Sequence, residues 1–150
     1  MNFYYDSQGE RILKRVTNSQ GQVTKEIQYI RDELGRALVE KEVTFNSQFL
    51  PPDILITNYL YGPRGLFGFI RNDNFYSVIN DHEGSTRLVV KNGEVVAAYD
   101  YLPYGHLMRE YGSDPEAQTS YRYTGTSVIY YLDYLIIQLI VKKFHTAIMK

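Results

Sequence analysis

Asp81, His82 and Ser85 fall within five residues of one another and have the residue types of a hydrolytic triad. A triad works because a base reaches the nucleophile while a carboxylate orients the base from behind, so its members must converge in space. Residues strung along a single turn seldom converge in that way. The same cluster is fully explained as the turn Asp81-His-Glu-Gly84 leading into a strand. A small hydrolase built around Asp81, His82 and Ser85 is therefore the least favoured reading.

Metal chemistry has equally little to stand on. His82, His106 and His145 are scattered without a His-x-x-x-His pair, and Asp81 with Glu83 would hold Ca²⁺ only with oxygen ligands from elsewhere. Gly62-Pro-Arg-Gly65-Leu-Phe-Gly68 is glycine-rich, but Pro63 removes an amide donor and no Lys-Ser/Thr follows, so it reads as a turn before a strand and not as a phosphate loop. The aromatic pairs Tyr4/Tyr5, Tyr59/Tyr61, Tyr99/Tyr101 and Tyr121/Tyr123 could stack on bases or sugars. Stacking on nucleic acid also needs a basic groove. Sixteen basic against seventeen acidic residues, a net charge of −1, supply none. Packing between strands is the default role for these tyrosines, with glycan binding as the alternative. No catalytic, cofactor-binding or metal-binding residue is assigned, and no cofactor is expected.

The elements that would position such groups are strands. Asp6-Ser-Gln-Gly9, Asn18-Ser-Gln-Gly21, Asp32-Glu-Leu-Gly35 and Asp81-His-Glu-Gly84 share the form Asx-x-x-Gly. The Asx side chain can bond the backbone two residues on, and Gly supplies the positive φ that closes a short hairpin loop. Between turns the residues alternate: Val23, Ile27 and Tyr29 fall on one face, and Gln22, Thr24, Glu26 and Gln28 on the other. Ala37, Val39, Val43 and Phe45 likewise oppose Glu40, Glu42 and Thr44. Leu50-Pro51-Pro52-Asp53 marks a loop or sheet corner, since neither Pro can donate to a ladder. Strands are predicted at Ile54–Tyr61, Leu66–Arg71, Phe75–Ile79, Thr86–Lys91 and Val95–Tyr101, with an Asn92-Gly93 hairpin joining the last two. The turn glycines recur loosely, Gly9 to Gly35 and Gly84 to Gly105 being 26 and 21 residues apart, which suggests an array or a continuous spiralling sheet.

The 150 residues amount to one or two domains, and fifteen Tyr with no Trp lean the composition toward β structure. Without Cys there is no disulfide framework, thiolate metal site or Cys nucleophile. Met1-Asn-Phe-Tyr-Tyr-Asp6 shows no basic segment followed by an apolar run, so no signal peptide is expected there. Val128 to Val141 is apolar but broken by Asp133 and Gln138, and shorter than the roughly 20 residues of a membrane-spanning helix. Leu135–Val141, β-branched and uncharged, is an aggregation hazard.

Four stretches carry a resemblance. Tyr61-Gly-Pro-Arg-Gly65-Leu and Asp81-His-Glu-Gly-Ser-Thr-Arg-Leu88 are followed by Val95-Val-Ala-Ala-Tyr-Asp-Tyr-Leu-Pro-Tyr-Gly105 and Tyr121-Arg-Tyr-Thr-Gly125. In this order they resemble the RHS/YD-repeat family, and within it the repeat-associated core region. Tyr5-Asp6-Ser-Gln-Gly9 and Tyr29-Ile-Arg-Asp32-Glu-Leu-Gly35-Arg36 resemble single YD repeats, so the likeness spans roughly residues 3–125. The resemblance implies a large hollow shell wound from one antiparallel sheet, in which Tyr packs between layers and Asx and Gly set the turns. Bacterial members of the family enclose a toxic C-terminal domain; the related animal teneurins act in cell-surface adhesion. It also implies no active site in this stretch.

Three departures accompany it: Leu102 stands where the family pattern has a second Asp, 150 residues are far too few to close such a shell, and the pattern stops after Gly125, where no cleavage motif can be placed. The chain is thus expected to be mainly β, an antiparallel hairpin meander, with residues 1–125 as the YD-repeat region and 126–150 as a divergent apolar tail, helical or irregular, foreign to the family. Its expected role is that of a non-catalytic, truncated structural fragment of a secreted or cell-surface shell. Its partners would be the remainder of that shell or an encapsulated effector domain, with no nucleic acid and no membrane span. The alternative is a stand-alone carbohydrate- or protein-binding β module.

Overall fold

The computed structural model describes residues 1–46, 50–119 and 121–122. The tail 126–150, with His145 and Tyr123, lies outside the described residues. The strands are β1 (Asn2–Tyr5), β2 (Arg11–Thr17), β3 (Val23–Arg31), β4 (Ala37–Thr44), β5 (Asp53–Gly62), β6 (Gly65–Arg71), β7 (Asn74–Asn80), β8 (Thr86–Lys91), β9 (Glu94–Tyr101) and β10 (Leu107–Gly112). They form a ten-stranded antiparallel meander whose order in space is their order in sequence. The five strands expected between Ile54 and Tyr101 are all present, to within one residue at either end.

The turns explain why. At Asp6, Asn18, Asp32 and Asp81 the same bonds recur: the Gly three residues on donates back to the Asx carbonyl, and the Asx amide donates to the carbonyl four residues on. The Asx side-chain oxygen accepts from the amides two and four residues on, for example Gln8 N and Glu10 N to Asp6 Oδ1, both at 2.9 Å. Leu102–His106 keeps both backbone bonds, at 2.7 and 3.0 Å, so the loop between β9 and β10 closes without an Asx side chain. Asn92 (φ 53°) and Gly93 (φ 85°) make the two-residue turn between β8 and β9, where Lys91 pairs with Glu94. A second such turn, Asn72 (φ 48°) and Asp73 (φ 59°), joins β6 to β7. Sequence reasoning placed both flanking strands but did not single out this turn. The Asn-Asp pair was its signal, since both residues tolerate the left-handed region.

The chain divides into two compact units, residues 1–62 with 68–76, and residues 63–67 with those from 77 onward. In the first, register carries residues across the sheet in rows: Lys14, Ile27, Glu42 and Leu55 form one, and Tyr29, Glu40 and Thr57 the next. Directly opposed residues share a face. The face bearing Ile27 also buries Glu40 and Thr57, while Ile30, Ile54 and Ile56 on the opposite face are about half exposed or more. Alternation had put the glutamates of β4 opposite its aliphatic residues, and that parity holds. It did not reveal that Glu40 would be buried on its face as Val43 is on the other. Phe69, fully buried, stacks on Tyr76 with centroids 4.9 Å apart and 12° between planes, and Tyr59 tilts against it at 6.3 Å. Gly68 is required beside them: a Cβ there would lie 2.8 Å from the Tyr76 carbonyl oxygen and 2.7 Å from the Phe75 ring.

In the second unit, the chain after β10 turns back through a short 3₁₀ segment, Pro115–Ala117, capped by Asp114. Ala117, Thr119 and Tyr121 are buried along this return. It is fastened at Thr86, whose amide donates to the Arg122 carbonyl at 2.7 Å and whose hydroxyl donates to the Tyr121 carbonyl at 2.8 Å.

Candidate functional site

The residues at 81–85 are close in space and chemically separate. Asp81 Oδ1 accepts the amides of Glu83 and Ser85 at 3.0 and 2.9 Å, and Oδ2 accepts Arg87 Nε at 2.9 Å. Burial, the largest single influence on this carboxyl, raises its pKa, but the Ser85 amide, the Arg87 guanidinium and the Glu83 amide together outweigh it and hold it below the usual carboxylate range. Ser85 is fully buried in the strand start. The His82 side chain is 91% exposed, its Nε2 lying 3.9 Å from Glu83 Oε1. The carboxylate is thus engaged by the turn and by Arg87, the imidazole stands in solvent, and the hydroxyl is out of reach of any substrate. The arrangement fixes a hairpin and cannot relay a proton from serine to histidine.

The other candidates resolve in the same way. Gly62–Gly65 brackets the two-residue connection from β5 to β6. Among the described residues, no group of three or more His, Cys, Asp or Glu could hold a metal ion, and no helix is long and apolar enough to cross a membrane. The tyrosines divide by position. Tyr59, Tyr99 and Tyr121 are buried, whereas Tyr4 and Tyr5 are 40% and 51% exposed. Burial raises the Tyr101 pKa, and its neutral hydroxyl donates to the Thr86 carbonyl at 3.0 Å.

A pattern that sequence reading missed is the pairing of arginines with these rings. Arg11 lies over Phe3 at 4.5 Å, Arg36 over Tyr61 at 5.0 Å, Arg71 over Phe69 at 5.2 Å and Arg122 over Tyr99 at 4.6 Å. Arg87 bridges Asp81 and the Tyr101 ring, 5.1 Å away. Each such contact contributes about 0.5–1 kcal/mol, and more where desolvated. The guanidinium lets a charged side chain cover a ring while its edge bonds the turn beside it: Arg31, 5.2 Å over Tyr29, donates to the carbonyls of Arg11 and Gly35. The arginines following the turn motifs, at 11, 36 and 87, were the available signal.

No family model matches the chain. Over 127 residues it is 50% identical to salivary gland surface protein 1 of Aedes aegypti, a match that takes in 83% of the chain and 4% of that protein. Among solved structures it is similar to the crystal structure of TcdB2-TccC3-TEV (TM-score 0.54, 14% identity) and to that of TcdB2-TccC3-Cdc42 (TM-score 0.53, 13% identity). Each of these likenesses takes in 84% of the chain and 8% of the solved one. The chain therefore spans a small part of the length of every protein it is compared with. What it shares with the solved structures is the fold, an RHS-like β-shell sheet.

Proposed function

We propose that this chain is a non-catalytic wall segment of a much larger RHS-like shell protein, secreted or displayed at a cell surface. The observation that carries the reading is the meander itself: ten strands paired only with their sequence neighbours, ending among the described residues in β1 and β10, all six residues of β10 being exposed. An edge strand presents unpaired N–H and C=O groups to any strand that can continue the ladder. The half-identical stretch within a far longer surface protein supports the same reading, as does the engagement of Asp81 and Arg87 in turn and packing contacts. In this role the partners are the remaining strands of the shell, and the segment's contribution is sheet continuity. A surface role is favoured over enclosure of an effector domain by the relative's description as a surface protein.

The test is the behaviour of the isolated 150-residue chain in multi-angle light scattering and thermal denaturation. A wall segment with open edges forms concentration-dependent oligomers or aggregates. A monodisperse monomer with one sharp, concentration-independent melt would overturn the proposal in favour of a stand-alone module.

A further inference from the structure

Asn92 and Gly93 join β8 to β9, and holding a turn leaves their reactive groups unused. Asn92 is exposed, and its side chain makes no hydrogen bond among the described residues. It is also the one asparagine of the sequence followed by Gly. Asn18, Asn46, Asn74 and Asn80 differ on both counts. Their side-chain amides donate to Gln22, Asp53, the Asn72 carbonyl and the Leu66 carbonyl, and larger residues follow them. Gly93 has nothing within 4 Å of an added Cβ, so its backbone is open to approach. An unbonded carboxamide beside an unhindered glycine amide is the pairing that closes a succinimide ring.

What restrains the reaction is the turn. The five-membered ring closes only when Cβ and the Gly93 nitrogen eclipse one another about the Asn92 Cα–C bond. With φ of 53° and 85° the pair forms a type I′ turn, whose first ψ of about +30° holds those atoms nearly anti. The turn must therefore open first, and the ladder around it is weak. The register skips Val96, a bulge that leaves only the pairs Val90–Val95 and Lys91–Glu94 between itself and the turn. On the other side of β9, the β10 ladder ends at Gly112 opposite Ala97, and Ser113 N donates to the Val96 carbonyl at 3.0 Å. Glu94 and Val95, both exposed, are thus paired with β8 alone among the described residues. Lys91 stays anchored, its ammonium 3.2 Å from Asp114 Oδ2. One arm of the tip can lift while the other is held, a local opening that leaves the rest of the sheet paired.

We propose that Asn92 is a site of spontaneous deamidation and isomerisation, gated by opening of the β8–β9 tip. The Gly93 amide nitrogen bonds to Asn92 Cγ as the Cγ–Nδ2 bond breaks, and ammonia leaves with the Gly93 proton. Water then adds to either ring carbonyl. Ring opening at Cγ gives Asp. Opening at the former backbone carbonyl gives isoaspartate, in which the chain runs through the side-chain carbonyl. The former backbone carbonyl is the more electrophilic, because its Cα bears nitrogen, so isoaspartate is the main product. The sum is one water in and one ammonia out, with no change of oxidation state. The product has an extra main-chain methylene and a new carboxylate near Glu94. It no longer fits a type I′ turn, and the tip stays loosened.

The experiment incubates the full chain at mildly alkaline pH and maps its peptides by mass spectrometry, which tolerates association. The Asn92 peptide should gain about 1 Da, the difference between NH₂ and OH. It should do so at least about tenfold faster than the peptides holding Asn18 and Asn46. A carboxyl methyltransferase specific for isoaspartate, supplied with labelled S-adenosylmethionine, should methylate the aged chain and not the fresh one. Asn92→Gly, whose Gly-Gly pair keeps the turn type, should lose that methylation. Urea should speed the conversion at least about threefold, because opening no longer limits it. The proposal is overturned if Asn18 or Asn46 converts as fast as Asn92, if the aged chain accepts no methyl groups, or if urea leaves the rate unchanged. Mapping of the unmodified chain keeps the test decisive if Asn92→Gly does not fold.

Discussion

Truncating Phe69 to Ala should be among the most damaging single changes in the first unit, and the cost can be built up from its surroundings. Phe69 is fully buried, stacked at 4.9 Å on Tyr76, tilted against Tyr59 and covered by Arg71 at 5.2 Å. A buried Phe→Ala change costs about 3–5 kcal/mol in lost transfer energy and cavity. Of this, the aromatic pair accounts for about 1 kcal/mol and the guanidinium contact for about 0.5. Phe69→Leu retains most of the volume and should cost only about 1–2 kcal/mol. Phe67, two residues earlier on the same strand, is 48% exposed. Phe67→Ala should therefore cost about 1 kcal/mol, from the half of the ring already out of water. In a chain of this size each kcal/mol moves the melting temperature by about 2–4 °C, so Phe69→Ala should lower it by roughly 10 °C. Urea titration followed by far-UV circular dichroism separates the three variants, at matched protein concentration because association adds apparent stability. If Phe69→Ala costs no more than Phe67→Ala, the stacked cluster is not the core of this unit and the reasoning fails.

Gly93→Val should cost about 1–3 kcal/mol from backbone strain alone, since φ is +85° and nothing stands within 4 Å of an added Cβ; faster hydrogen exchange at the β8–β9 amides would report it, whereas Gly93→Asn should be nearly neutral. Burial, opposed by the Tyr59 hydroxyl at 3.2 Å and the charges of Arg71 and Lys14, raises the pKa of Glu40 above its ordinary value. A raised folded-state pKa contributes stability that is present below the unfolded value and is lost as pH climbs through the folded one. Glu40→Gln should therefore improve in stability relative to the unmodified chain between about pH 4 and about pH 7, and urea midpoints that keep a constant difference across that range would contradict the assignment.

How far the sequence foretold this molecule depends on the range of the interaction. The Asx-x-x-Gly loops were legible because every bond that closes them lies within five residues, as at Asp32, where Leu34 and Arg36 both donate to one carboxylate oxygen. Strand positions followed once the turns were placed. The burial of Glu40 was not legible, because alternation assigns residues to two faces and says nothing of which of them a ring such as Tyr59 from the next strand covers. The separation of His82 from Ser85 had the same cause: adjacency in sequence hid the fact that one projects into solvent and the other begins a buried strand.

The pairing of every strand with its sequence neighbours alone bears on how such a chain can change in length over evolutionary time. A short turn can join only antiparallel neighbours, so removing or duplicating one strand would reverse every later strand and exchange its two faces. Removing or duplicating two adjacent strands with their loop leaves the later strands facing as before. The heritable unit of growth is then the hairpin, and lengths within such a lineage should differ in steps of a strand pair.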